Sequence, residues 1–399
     1  MLLPFDHSAV VSNARLLDAW AQRLDAQVLP RRWWGRLRRA LEAEAVAAST
    51  SMEGVPVTVD DTLKILAGES PEHVSAPNQA LVRGYRDAMT YAQRRADDGR
   101  LQWNRELVVA VQDRALAGNF AAGAGRLRQS GGTWITNAQT GEVVFRPPDH
   151  EQVPGLVDEL CAVIATTAWH PAIAAAWVHV ALAAIHPFQD GNGRTARVLA
   201  SLTMYRGGFE DPFFTSLEEW WGRHTAAYYA AFACLGETFD PEVDVTPFVD
   251  AHIRAQLSQV HALALRQRAE GLLWITMENL LEDHGLPLRL ANALYDSFFA
   301  RSVTTGYYRD LIDASPATAR NDLQAAAAAG LVKPVGKTRG RRYEPGGRLM
   351  PALASVIGGG TAAEQTSILA LLVARASQAE DVLPDPDPGP RQDPLPGIA

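Results

Sequence analysis

Between positions 186 and 197 the chain reads HPFQDGNGRTAR, in which nearly every polar residue has a use if the ligand is a chain of phosphates. Gly191 and Gly193 bracket Asn192. Glycines so spaced let the backbone take positive φ and draw N–H groups together, and a helix starting near Arg194 adds its unpaired first-turn amides, so the segment reads as an anion hole. Asp190 stands at its entrance, a hard carboxylate suited to a Mg2+ ion bridging two phosphates. Arg194 and Arg197 lie three apart on one helix, project to the same side, and suit phosphate oxygens as charge-assisted donors. His186 is the one side chain of the segment that titrates near neutral pH, which fits a general base accepting the proton of an attacking hydroxyl. Alone, His186 reads more simply as a satisfied histidine beside a helix. The joint pattern does not: eight fixed residues and a carboxylate arise by chance in roughly one in a billion chains of this length at about 1/20 per position.

The elements that must hold this segment are mostly helical. Residues 171 to 185, directly before it, are nearly all apolar, as a central buried helix should be, and a helix from about 194 to 206 follows it. His179 on the central helix reads as a core residue. Two amphipathic helices are expected over 12 to 50, another over 76 to 97, a further one over 106 to 116, and one over 152 to 167. Arg31, Arg32, Arg36, Arg38 and Arg39 surround Trp33 and Trp34, but Glu42 and Glu44 break the positive run, so this cluster reads as a solvated helix face. Residues 131 to 146 are the one clear hairpin of this part, with β-prone runs at Thr133 to Thr136 and Glu142 to Phe145. Beyond 266 the character changes. Short helices at 271 to 284 and 288 to 300 precede a helix opened by Ser315 and Pro316 and stopped at Gly330, and Leu331 to Val335 and Arg341 to Glu344 suit two strands around a basic turn. That order suggests a winged helix. Asp381 to Ala399 alternates proline with aspartate and suits a disordered tail.

Composition narrows the function classes. The chain has 399 residues, 47% of them hydrophobic, enough for two or three cores. A net charge of -8 argues against a general nucleic-acid or membrane-surface binder while leaving room for a local basic patch. Two cysteines, Cys161 and Cys234, lie far apart and suggest neither a disulfide framework nor a zinc site, which fits a reducing cytoplasm. The start lacks the pattern of a signal peptide, and charged residues interrupt every candidate membrane span.

Residues 186 to 197 resemble the Fic family, whose signature HPFx[DE]GNGRxxR is met at every fixed position. The resemblance implies a mostly α-helical core with a short β-hairpin flap, binding MgATP and directing a target hydroxyl at the α-phosphate with release of pyrophosphate. It implies His186 as base, Asp190 as metal ligand, Gly191, Asn192 and Gly193 as the anion hole, and Arg194 and Arg197 as holders of the β- and γ-phosphates, with Phe188 a core anchor. The hairpin, preceded by Gly125 and Arg128, resembles the family's flap, which pairs with an extended target segment; Trp134 and Ile135 are then candidate docking residues. Ser49 to Gly54 matches the inhibitory pattern [ST]xxxE[GN], which implies that Glu53 reaches Arg197 and draws it from the γ-phosphate; an ordinary helix end at Gly54 and Pro56 is the plainer alternative. Tyr228 and Tyr229 match a tyrosine pair near the nucleotide.

The expected organisation is an N-terminal helical region carrying the inhibitory motif over 1–110, a Fic catalytic core over 111–265, a winged helix-turn-helix-like domain over 266–345, and a C-terminal helix with a Pro/Asp-rich tail over 346–399. The expected activity is protein adenylyl transfer from MgATP to a Ser, Thr or Tyr hydroxyl, self-modification included, checked by Glu53. Two alternatives stand beside it: removal of AMP at the same site, and DNA-binding regulation with the Fic domain as sensor. The second rests on Thr318, Arg320 and Asn321 with Lys333, Lys337, Arg339, Arg341 and Arg342, while the alanine run Ala325 to Ala329 suits close helix packing in a homodimer.

Overall fold

A computed structural model describes residues 2–25, 31–130, 135–136, 143–210, 217–299, 303–337 and 341–357. The chain divides into two compact units, one built mainly on Trp34–His261 together with the N-terminal helix, the other on the chain after Ala262. Among the described residues no helix is long and apolar enough to cross a membrane.

The first unit is helical: α1 (His7–Asp25), α2 (Arg31–Met52), α3 (Val59–Leu66), α4 (Ala76–Ala96), α5 (Arg105–Ala115), α6 (Val153–Thr166), α7 (Pro171–Ile185), α8 (Asn192–Arg206), α9 (Leu217–Arg223), α10 (Thr225–Ala231) and the start of α11 (Thr246–Asp283). Helix α7 is apolar on every side and accordingly buried from Ala172 to Ile185, with only Ala183 partly open. Helix α8 lies along it closely: a Cβ on Gly207, just past the end of α8, would sit 2.2 Å from Pro171 at the start of α7. Gly84 similarly lets α4 approach α5, where a Cβ would meet the Arg114 carbonyl at 2.5 Å. Helix α2 ends at Met52 because Gly54 turns with φ +80° and the Val55 amide reaches back to the Thr50 carbonyl. Helix α3, which periodicity over so few residues does not reveal, is opened by a capping box between Thr58 and Asp61.

Of the expected hairpin, the described residues form β1 (Ile135–Thr136) antiparallel to β2 (Val143–Phe145), with Ile135 opposite Phe145 and Thr136 opposite Val143. Trp134 lies outside the described residues, and with it the expected strand start. The hairpin base is anchored by Arg146, whose amide donates to the Glu237 carbonyl at 2.8 Å and whose carbonyl accepts from Phe239 at 2.9 Å.

In the second unit the expected helix at 271 to 284 is instead the end of the 38-residue α11. Gly271 does not break it, because a single interior glycine costs a helix only about 1 kcal/mol. There follow α12 (Ala291–Phe298), α13 (Thr305–Ile312), α14 (Pro316–Ala328), an antiparallel pair β3 (Val332–Val335) and β4 (Arg342–Pro345), and α15 (Leu349–Ile357). Ser315 caps α14 as expected, its Oγ accepting from the Thr318 amide at 3.1 Å. The expected tail lies outside the described residues.

Candidate active site

The segment 186–197 links the two central helices. His186 closes α7 in the left-handed conformation, φ +48°, its amide still donating to the Leu182 carbonyl at 2.9 Å. A non-glycine residue in that region costs about 1 kcal/mol or more, so the position is held by its surroundings. Part of the hold is Arg128: its Nε donates to the His186 carbonyl at 2.9 Å, its amide to the Pro187 carbonyl at 2.9 Å, and its Nη2 to the Pro148 carbonyl, so one residue joins the motif loop to the chain leaving the hairpin. Burial lowers the His186 pKa to about 4, against a hydrogen bond to the Ala183 backbone that raises it. The imidazole is therefore neutral at physiological pH and able to accept a proton.

Helix α8 begins at Asn192, two residues earlier than expected, with Gly191 as its N-cap at φ +83°. Only Gly191 of the two motif glycines needs the left-handed conformation. Gly193 is an ordinary helical residue whose requirement is space: a Cβ there would stand 2.4 Å from Glu53 Oε1 and 3.1 Å from Arg197 Nη1. The Asn192 side chain is spent on the loop, accepting from the Phe188 amide and donating to the Phe188 carbonyl, both at 2.9 Å. What remains for an anion is the set of first-turn backbone amides, which have no acceptor one turn earlier in the helix. Phe188 is fully buried, and Gln112 of α5 stitches the loop from below by donating to the Asp190 carbonyl at 3.0 Å and accepting from the Gly125 amide at 2.8 Å.

The two arginines are both buried and differently held. Arg194 Nη2 donates to Asp190 Oδ1 at 2.9 Å, and its buried Nε has no hydrogen-bond partner among the described residues. Asp190 also accepts from the Gly191 amide on Oδ1, at 2.5 Å, so Oδ2 is left without a protein donor among the described residues. The Asp190 side chain is half-exposed and fits a Mg2+ ion, which takes one or two carboxylates and completes its shell from phosphate and water; no cluster of three or more His, Cys, Asp or Glu suited to a metal occurs among the described residues.

Arg197 is engaged on every nitrogen: Nε with Ser49 Oγ at 2.9 Å, Nη2 with the Ser49 carbonyl at 3.2 Å and Glu53 Oε1 at 2.7 Å, and Nη1 with Tyr228 Oη at 3.2 Å. The end of α2 thus delivers Glu53 to the position where its carboxylate meets both Arg197 and the opening of α8. Burial opposes ionisation of Glu53, yet the charges of Arg197 and Arg194 outweigh it and hold the carboxyl below its usual range. Tyr229 lies at the rim, its hydroxyl donating to the Met52 carbonyl at 3.3 Å. His179 is buried as expected, with Nε2 3.1 Å from Tyr228 Oη. On the hairpin, Ile135 is partly buried, whereas Val143 and Val144 are exposed.

Sequence reasoning passed over the layer behind Arg197. Glu218 of α9 is buried, accepts from Tyr85 Oη at 2.8 Å, and has its carboxyl pushed up by burial. A cavity of about 20 Å³, large enough for one water, is lined by Arg197, His179, Glu218, Trp221 and His252, and His179 Nδ1, Glu218 Oε2 and Trp221 Nε1 have no hydrogen-bond partner among the described residues. These residues come from α7, α8, α9 and α11 with no motif spacing between them, so only the fold brings them together.

A helical fold in which a glycine-bounded helix start, a part-buried histidine and two buried arginines converge belongs to a recognisable class. Residues 102–204 match the family model described as the Fic/DOC family. It is 34% identical over 146 residues to the protein adenylyltransferase fic-1 of Caenorhabditis briggsae, covering 36% of this chain and 25% of that protein. It is 32% identical over 178 residues to the protein adenylyltransferase fic-1 of Caenorhabditis elegans, covering 44% of this chain and 30% of that protein. The matched part therefore spans a quarter to a third of the length of these relatives. The fold is similar to that of a Fic family protein from Desulfovibrio desulfuricans G20, with a TM-score of 0.56 at 20% identity over 87% of this chain and 99% of that one.

Proposed function

We propose that this protein transfers AMP from MgATP to a hydroxyl of a target protein, itself included, and that Glu53 holds the reaction in check. The observation that carries this reading is the Glu53 carboxylate lying against Gly193 and bonded to Arg197 at 2.7 Å. An anion held by a helix start and a buried guanidinium stands in for a phosphate oxygen, so the same groups suit the β- and γ-phosphates of ATP once Glu53 withdraws. The names of the Caenorhabditis relatives point to the same chemistry.

In the reaction the target hydroxyl oxygen bonds to the α-phosphorus, the bond from that phosphorus to the bridging oxygen of the β-phosphate breaks, and pyrophosphate leaves. His186 accepts the hydroxyl proton; its depressed pKa keeps it unprotonated and ready. Arg194 and Arg197 hold the phosphates that become pyrophosphate, and the α8 amides favour the charge gathering there. Bound through Asp190, Mg2+ would offset charge on the phosphates. The exposed edge at Val143 and Val144 suits pairing with an extended target segment, which needs little sequence specificity.

One observation also favours removal of AMP: Glu53 is close enough to His186 to act on its charge, so it suits orienting a water as well as blocking a phosphate. Labelling with α-labelled ATP separates the readings. Transfer predicts strong label on protein with Glu53→Gly and little with wild type. Removal predicts that wild type strips AMP from a modified protein and that Glu53→Gly does not.

A further inference from the structure

We propose that the second unit is a winged helix that binds double-stranded DNA, with α14 in the major groove and the β3–β4 hairpin on the phosphates. Helices α13 and α14 are joined by the short turn Asp313–Ser315, in which Asp313 is left-handed at φ +49°. The inner face of α14 is fixed. Asp322 is buried, accepts two bonds from Arg289 at 2.6 and 2.8 Å, and accepts a third from Tyr308 Oη at 3.1 Å, while Ala319, Leu323 and Ala326 are buried beside it. The outer face carries Ala317, Arg320, Asn321, Gln324 and Ala328, all exposed. Arginine, asparagine and glutamine are the side chains whose paired donors and acceptors match guanine and adenine edges, and alanine at either end lets a helix sink into a groove. A rigidly packed helix with such a face is built for reading rather than for core packing.

The hairpin supplies the second contact. Tyr343 of β4 is buried and its amide donates to the Val303 carbonyl at 2.8 Å, which ties the hairpin to the start of α13. Lys333, Lys337, Arg341 and Arg342 are exposed on or beside the two strands. Residues 303–348 hold eight Lys and Arg (309, 320, 333, 337, 339, 341, 342, 348) and four Asp and Glu (310, 313, 322, 344), a local excess of four positive charges in a chain of net charge -8. Asp310 pairs with Arg309 and Glu344 with Arg342, which offsets charge of both signs, while Asp322 pairs with Arg289 outside the stretch, leaving Arg320, Lys333, Lys337, Arg339, Arg341 and Arg348 against Asp313. Duplex DNA is favoured over RNA because its major groove admits a helix, whereas that of A-form RNA is too narrow.

The test uses the full chain. Fluorescence anisotropy with a labelled random-sequence duplex is recorded between about 50 and 200 mM salt, alongside the same sequence as duplex RNA and as single-stranded DNA. Duplex DNA is expected to bind most tightly and to weaken as salt rises, with Lys333→Ala and Arg341→Ala each lowering the slope of log affinity against log salt by about 1. In selection from a randomised duplex pool, wild type is expected to enrich a motif that Arg320→Ala and Asn321→Ala relax at one base pair each. Absence of duplex binding at the lowest salt, a preference for either RNA or single strands, or variants indistinguishable from wild type would overturn the proposal. Unchanged AMP labelling by the same variants carrying Glu53→Gly shows that the chain is folded, and this reading stands or falls apart from the one for the Fic domain.

Discussion

If Glu53 and the phosphates of ATP compete for one site, removing the carboxylate should tighten ATP by the free energy it contributes at Arg197. The contact is 2.7 Å long, with the arginine 3% and the glutamate 23% exposed, so solvent screens it weakly. A hydrogen bond to a charged partner contributes about 1.5–3 kcal/mol. By mass action that raises the apparent Kd for ATP by roughly 10- to 150-fold. Titration calorimetry of MgATP into His186→Ala and into His186→Ala/Glu53→Gln measures this without turnover, and Glu53→Gln keeps the side chain's volume. The expected outcome is a Kd lower by that factor when Glu53 is replaced, with the gain largely lost in the presence of Arg197→Ala, since the two act through one contact. Equal affinities with and without Glu53 would mean that the carboxylate and ATP do not share the site.

Further outcomes follow from individual contacts. Gly193→Ala should remove label even with Glu53→Gly, because the added Cβ fills the space both anions need; autoradiography of the double variant reads this directly. The acid limb of kcat/KM for Glu53→Gly should fall near pH 4 or below, since His186 is already lowered to about 4 and loses the raising influence of Glu53; a limb near 6.5 would remove His186 as the base. Burial holds the His252 pKa at about 3, well under its unfolded value of about 6.5, so between those limits the unfolded chain binds a proton that the folded one does not. His252 should therefore contribute about 1.4 kcal/mol per pH unit to the loss of stability as pH drops below 6.5, and His252→Gln should lessen the slope by that amount in urea unfolding. Tyr85→Phe removes a hydroxyl donor from the buried Glu218 and should cost about 1–3 kcal/mol in the same assay.

The site was legible where chemistry is packed into consecutive residues. His186 to Arg197 announces itself because one loop and one helix turn hold the histidine, the carboxylate, the amides and both arginines of the proposed site, and the pattern at Ser49 to Gly54 points to Glu53, which the structure places against Arg197. The helices α4 to α8 follow from apolar periodicity and caps. Less legible was anything settled by distant contacts. Arg128 and Gln112 hold the loop by side-chain bonds to backbone carbonyls, which impose no spacing on the sequence. Gly193 reads as a flexible turn residue until Glu53 is found 2.4 Å from where its Cβ would be. Glu218 looks like a surface residue of a Glu-Glu-Trp-Trp run until Tyr85, 133 positions away, reaches it. The missed continuity of α11 has a local cause, since Gly271 weakens a helix without ending it.

The most direct measurement is incubation of wild type, Glu53→Gly and Glu53→Gly/His186→Ala with α-labelled ATP and Mg2+ in cell lysate. Label on the enzyme or other proteins that rises with Glu53→Gly and vanishes in the double variant is the outcome expected of AMP transfer restrained by Glu53. Equal label in wild type and Glu53→Gly, or label that survives loss of His186, would contradict it.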